Sequence, residues 1–114
     1  NAYYNFFVKE DIKIDYLHID ADHSYEGVKL DFELYSKILS PNGIISIHDT
    51  DINYSKNHII TKDVSDQDHH EEYANGPAKF IKEISKDWQR FDLFNEGIFP
   101  SKPSSTGLTL LRRA

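Results

Sequence analysis

The chain has 114 residues, a formal net charge of −6 and no cysteine. That length suits one small domain, the negative charge argues against nucleic acid as a main partner, and the lack of cysteine excludes a disulfide framework or a thiolate zinc site. A hydrophobic content of 39% is enough for a core, while no apolar run approaches membrane-spanning length and no signal peptide is visible, so a cytoplasmic setting is the default expectation.

The chain opens Asn1-Ala2-Tyr3-Tyr4 and contains no Met, which points to a fragment or a processed form. Residues 1–11 read as a short helix packed by Tyr3, Tyr4, Phe6, Phe7 and Val8, ending in a charged loop. Residues 12–20 follow as a strand, Ile14-Asp15-Tyr16-Leu17-His18-Ile19-Asp20, which breaks into Ala21-Asp22-His23-Ser24. Ser24 is placed to cap a helix over 25–39, with Glu26 in its first turn. Tyr25, Val28, Phe32, Tyr35 and Leu39 recur at helical steps, and Leu30, Leu34 and Ile38 widen that stripe, as for a helix lying flat on a sheet. Pro41-Asn42-Gly43 is expected to stop the helix and turn the chain into a second strand, 43–48, Gly43-Ile44-Ile45-Ser46-Ile47-His48. Both strands are short apolar runs with little alternation, the pattern of strands buried on both faces of a parallel sheet. Strand, helix, strand in this span is a βαβ unit with a right-handed crossover.

Residues 51–75 carry no sustained period and hold Asp63, Asp66, Asp68, His69, His70, Glu71 and Glu72, which reads as an acidic loop or lid beside the site. Asn75-Gly76-Pro77 begins a helix whose apolar face is Ala78, Phe80, Ile81, Ile84 and Trp88. Residues 90–95 and 107–113 read as strands joined by a Gly- and Pro-containing loop over 96–106, and with no helix between them they pair antiparallel. The expectation is one α/β domain over 1–114, a Rossmann-like three-layer sandwich fragment with parallel strands and an antiparallel C-terminal pair.

Asp20 and Asp49 close the two parallel strands, with His48 before the second and His23 three residues past the first. Ligands of open α/β sheets collect at the carboxyl ends of such strands. Two carboxylates brought together repel unless a cation joins them. Oxygen donors suit Mg²⁺, and an added His48 shifts the preference toward Mn²⁺. His23 is placed to take a proton from a substrate hydroxyl. His18, inside the first strand, reads as a buried, hydrogen-bonded residue, and Asp22 as an alternative helix cap.

The block 14–28, with the segment Leu39-Ser40-Pro41-Asn42-Gly43-Ile44-Ile45-Ser46-Ile47-His48-Asp49-Thr50, resembles the C-terminal half of class I S-adenosylmethionine-dependent methyltransferases. Within that fold it looks closest to the metal-dependent O-methyltransferases, including those acting on macrolide sugars. The resemblance implies that this chain supplies the fourth to seventh strands of a seven-stranded sheet. It matches Asp20 and Asp49 to the family's metal-binding acids and His23 to the general base of the macrolide-sugar members, where catechol-type members carry Lys. His48 falls where relatives have Glu or another residue, and Thr50 where catechol-type members have Asn. The five glycines are scattered, so the family's glycine-rich donor loop is absent and this chain alone is expected to bind the donor weakly or not at all. The implied function is O-methylation of a hydroxyl on a sugar or other small molecule, with S-adenosylmethionine as donor and Mg²⁺ or Mn²⁺ as cofactor. The expected metal ligands are Asp20, Asp49 and His48, with His23 as the catalytic base. Two other readings use the same residues: a metal-dependent hydrolase that activates water, and a non-catalytic remnant or interaction domain. An exposed first strand would also offer an edge for pairing with a second copy.

Overall fold

A computed structural model of the chain describes residues 1–51, 75–93 and 107–114. They form α1 (Ala2–Lys9), β1 (Ile14–Ile19), α2 (Tyr25–Tyr35), a 3₁₀ turn (Ser36–Ile38), β2 (Leu39–His48), α3 (Gly76–Ile81), β3 (Trp88–Leu93) and β4 (Leu108–Arg113). The strands make one sheet in the order β1-β2-β4-β3. β1 and β2 are parallel, and β4 runs antiparallel to both β2 and β3. The mixed Rossmann-like sheet with an antiparallel C-terminal pair is therefore present. Its last strand is inserted between β2 and β3, and β1 forms one edge among the described residues. The acidic stretch 52–74, with His58 and the His69-His70 pair, lies outside the described residues, as does 94–106.

The core follows from the register. Leu17 pairs with Ile45 and Ile19 with Ile47, and Ile45 pairs across β4 with Leu111. Paired residues share a face of the sheet, so these side chains form one apolar surface. Val28 of α2 and Phe80 and Ile81 of α3 close over it, with Phe32 and Trp88 packed at the margin. Burying each such side chain contributes roughly 1.5–3 kcal/mol. No helix among the described residues is long and apolar enough to cross a membrane.

Several expectations are corrected. β1 is not buried on both faces: Ile19 is its one buried residue, and Tyr16 is exposed. The aromatics of α1 do not form a core, for no residue of that helix is buried and Tyr3 and Phe6 are exposed. Leu30 faces away from the sheet, and Val28 is the buried residue of α2. Trp88 opens β3 instead of extending α3. The helix after Ser24 ends at Tyr35, and β2 already begins at Leu39, so Pro41-Asn42-Gly43 lies within a strand. The strand absorbs it as an irregularity: the pairing passes from Ile14–Leu39 to Tyr16–Ile44, with the extra residues on β2.

Arg113 binds the chain where α2 passes through the 3₁₀ turn into β2. Its Nη2 donates to the Ser36 carbonyl at 2.5 Å and its Nη1 to the carbonyls of Leu39 and Ser40 at 3.2 and 3.3 Å. The guanidinium also lies over the Trp88 ring, 5.1 Å from its centroid. A planar fork can hold diverging carbonyls where a helix could not satisfy them. Arg113→Ala is expected to lower unfolding free energy by about 1.5–3 kcal/mol, the range for hydrogen bonds made by a charged donor. Arg113→Lys should recover less than half of it, because an ammonium cannot reproduce the fork. Urea denaturation of the three proteins checks this, and equal midpoints for Arg113→Ala and wild type would refute it.

Candidate active site

The site is built at the carboxyl ends of β1 and β2. Ile19 pairs with Ile47, so the next residue along β1, Asp20, comes level with His48 and not with Asp49. Asp49 lies one step further, and an extended continuation would send its side chain to the face opposite Asp20 and His48. The chain avoids this by taking a left-handed conformation at Asp49, φ 61°. Asp is among the few residues that accept that conformation at modest cost. The Asp49 amide donates to the Gly107 carbonyl at 3.0 Å, which ties the turn to the start of β4.

A polar chain, buried at Thr50 and Thr109 and opening to the surface at Asp92 and Arg90, holds the turn from below. Thr109 donates to Asp92 Oδ1 at 2.7 Å and its hydroxyl lies 2.9 Å from that of Thr50. Arg90 in turn grips both oxygens of Asp92 at 3.0 Å. Thr50 is buried and engaged with Thr109, so its side chain is turned into the core and away from the site.

His23 is positioned by the start of α2. The Ser24 side chain accepts from the Gly27 amide at 3.0 Å, which makes Ser24 the cap as expected. Asp22 accepts from the Ser24 amide at 2.8 Å and so braces the preceding turn instead of capping the helix itself.

The four residues singled out from the sequence converge. His23 Nε2 lies 2.6 Å from Asp49 Oδ2, and His48 Nδ1 lies 2.9 Å from Asp49 Oδ1 and 3.3 Å from Asp20 Oδ1. The Asp49 side chain is 6% exposed and that of Asp20 44%. Asp49 is thus a buried carboxylate with one imidazole at each oxygen, while Asp20 faces outward. Asp20, His23 and Asp49 each offer one donor atom, all within 4.8 Å of one another, the one such triple among the described residues. Two carboxylate oxygens and an imidazole nitrogen at that spacing fit a divalent ion of the Mg²⁺–Mn²⁺ type.

Tyr16 and Ser46 join the site's edge with no expectation attached to them, and the expected burial of His18 is corrected. The His18 side chain is 41% exposed, not buried, though it is hydrogen-bonded as expected: its Nδ1 lies 2.6 Å from Ser46 Oγ. The available signal was parity: Tyr16, His18 and Asp20 alternate onto one face of β1, as Ser46 and His48 do on β2.

The comparisons with known proteins agree with this architecture. Residues 2–50 match the family described as a methyltransferase domain. The O-methyltransferase from Bacillus cereus, solved with SAH, superposes with a TM-score of 0.62 at 16% identity, covering 99% of this chain and 46% of that one. TomG from Streptomyces achromogenes, an O-methyltransferase of tomaymycin synthesis solved with SAM, gives 0.59 at 13% identity, covering 90% and 41%. A 43-residue stretch is 44% identical to the uncharacterized protein y4gI of Sinorhizobium fredii, 38% of this chain and 5% of that protein. The chain has the class I S-adenosylmethionine-dependent methyltransferase fold, and it spans less than half the length of these solved structures.

Proposed function

We propose that this chain forms the acceptor and metal side of an S-adenosylmethionine-dependent O-methyltransferase acting on a hydroxyl of a sugar or another small molecule. The observation that carries the reading is Asp49, a buried carboxylate that meets His23 through Oδ2 and His48 through Oδ1, with Asp20 opposite. The S-adenosylmethionine and SAH complexes among the structural neighbours support the donor.

The two oxygens of Asp49 suggest a division of labour. On the Oδ1 side, Asp20, Asp49 and His48 would hold Mg²⁺ or Mn²⁺, which when bound lowers the cost of forming an alkoxide. On the Oδ2 side, Asp49 fixes the His23 ring, whose basic form takes the proton of the acceptor hydroxyl. The oxygen then attacks the donor's methyl carbon as the carbon–sulfur bond breaks, and S-adenosylhomocysteine leaves. Positioning of the two reactants supplies much of the acceleration.

The triple Asp20, His23 and Asp49 favours a second arrangement, in which His23 is a metal ligand and not the base. Titration with Mn²⁺ distinguishes them. At 100 times its dissociation constant the ion should add about 2.7 kcal/mol of stability, or roughly 10 °C in Tm for a domain of this size. If His23 is the base, His23→Ala keeps that shift, and in a chain that includes a donor loop it abolishes turnover of labelled S-adenosylmethionine while leaving donor affinity intact. Loss of the Mn²⁺ shift in His23→Ala identifies a ligand instead. No shift in the wild type at millimolar Mn²⁺ or Mg²⁺ removes the metal from the proposal.

A further inference from the structure

On the sheet face not covered by α2 and α3, three side chains outside the proposed machinery form a hydrogen-bonded line that leads to it. Ser46 is fully buried, and its Oγ lies 2.6 Å from Tyr16 Oη and 2.6 Å from His18 Nδ1. The Tyr16 and His18 rings stand nearly parallel, at 6°. The other ring nitrogen of His18, Nε2, faces Asp20 Oδ2 at 3.8 Å. We propose that Tyr16 and Ser46 fix His18 in the tautomer that carries its proton on Nε2, and that His18 is thereby the positioning residue of Asp20. The proposal rests on the reading of Asp20 as a metal ligand.

The polarity of the line follows from its chemistry. A serine hydroxyl has one proton, so between two partners this close it donates to one and accepts from the other. If His18 donated through Nδ1, its Nε2 lone pair would confront a carboxylate oxygen, and two acceptors would face each other. With Tyr16 donating to Ser46 and Ser46 donating to His18 Nδ1, an N–H dipole points at Asp20 instead. At 3.8 Å that contact is electrostatic and not a full hydrogen bond. It suffices to bias a half-exposed carboxylate whose other oxygen lies 3.3 Å from His48 Nδ1. The arrangement has the form of outer-shell support, in which the partner of a ligand sets its orientation.

Two readouts on the full chain test this. Nitrogen-15 NMR of the metal-free protein at mildly alkaline pH is expected to show His18 predominantly in the Nε2–H form, shifting toward a tautomer mixture in Ser46→Ala. Tyr16→Phe, at an exposed position, should shift it in the same direction and serves if Ser46→Ala folds poorly. A wild-type ring protonated on Nδ1, or a tautomer ratio that neither variant changes, overturns the proposal whatever the metal does. In Mn²⁺ titrations followed by electron paramagnetic resonance, His18→Ala and His18→Asn should bind about 10-fold more weakly or worse, the range for lost outer-shell partners, whereas His18→Gln, whose amide N–H falls near Nε2, should stay within about 3-fold of wild type. Equal affinity in His18→Ala and wild type, or equal losses in His18→Ala and His18→Gln, also overturns it. If the wild type binds no Mn²⁺, the metal reading above fails separately and the tautomer result decides the His18 assignment.

Discussion

Gly76→Ala is expected to destabilise the fold by roughly 3 kcal/mol, the upper part of the range for overpacking a closed interior. A β-carbon at Gly76 would sit 1.9 Å from the His23 carbonyl oxygen and 2.5 Å from both the Ser24 carbonyl carbon and the Tyr25 amide nitrogen. These are backbone atoms at the mouth of α2, so no rotamer change relieves the clash. The start of α3 must retreat, or residues 23–25 must move, and the latter carry His23 away from Asp49. The variant should therefore lose stability and show altered Mn²⁺ binding together, whereas a core truncation far from the site would affect stability alone. Gly27→Ala supplies the contrast. Its new β-carbon would lie 2.5 Å from Cγ and 2.7 Å from Cβ of the exposed Asp22, so Asp22 must release the Ser24 amide and the turn before α2 must shift slightly. Replacing a helical glycine recovers about 1 kcal/mol of intrinsic propensity, which offsets part of that cost, so that variant should lose clearly less stability than Gly76→Ala. Urea midpoints at unchanged m-values measure both. Gly76→Ala as stable as Gly27→Ala would mean that the approach of α3 to α2 is looser than described.

That contact shows what the sequence could and could not convey. Gly76 beside Pro77 read correctly as the beginning of a helix, because Pro at the first turn is a local preference. Its second role, letting one backbone reach another, depends on a residue more than fifty positions away and leaves no local mark. The same divide runs through the site. Asp20, His23, His48 and Asp49 could be singled out because apolar runs ending in acids and imidazoles are local patterns, and parallel strands bring their ends together. Alternation along β1 and β2 also encodes the Tyr16, Ser46 and His18 line, but reading it requires the register, which pairs His18 with Ser46. The change of α2 into a 3₁₀ turn after Tyr35 leaves no local mark. The stripe through Leu39 is a sound helical pattern, but its last turn tightens to 3₁₀ and its carbonyls meet Arg113, a residue from the far end of the chain. Tertiary hydrogen bonding overrules propensity where the two disagree. Exposure departs from the sequence pattern for a related reason. Apolar content cannot say whether a face meets a helix, and so Tyr16 and Leu30 read as core.

Asp49→Asn should separate the two tasks of that residue, its backbone conformation and its charge. Asn accepts the left-handed region about as well as Asp, so φ 61° is preserved. The amide is nearly isosteric, and the partners at 2.6 and 2.9 Å are imidazoles, which can remain neutral, so no buried charge is stranded. Stability without metal should accordingly change by no more than about 1 kcal/mol, because the lost attraction is offset by the relief of desolvating a carboxylate. Mn²⁺ affinity should fall by more than the roughly 100-fold that removal of a supporting residue can produce, and the metal-induced rise in Tm should vanish. Asp49→Ala differs in kind: it places an ordinary β-carbon in the left-handed region, which alone costs about 1–2 kcal/mol, and it removes the acceptor from both imidazoles. Its metal-free stability should drop visibly where that of Asp49→Asn does not. Thermal unfolding of the three proteins, with and without millimolar Mn²⁺, reads both axes at once. Wild-type affinity in Asp49→Asn would show that the buried carboxylate organises histidines and holds no ion. A metal-free collapse of Asp49→Asn equal to that of Asp49→Ala would show that its charge, and not its backbone, keeps the turn in place.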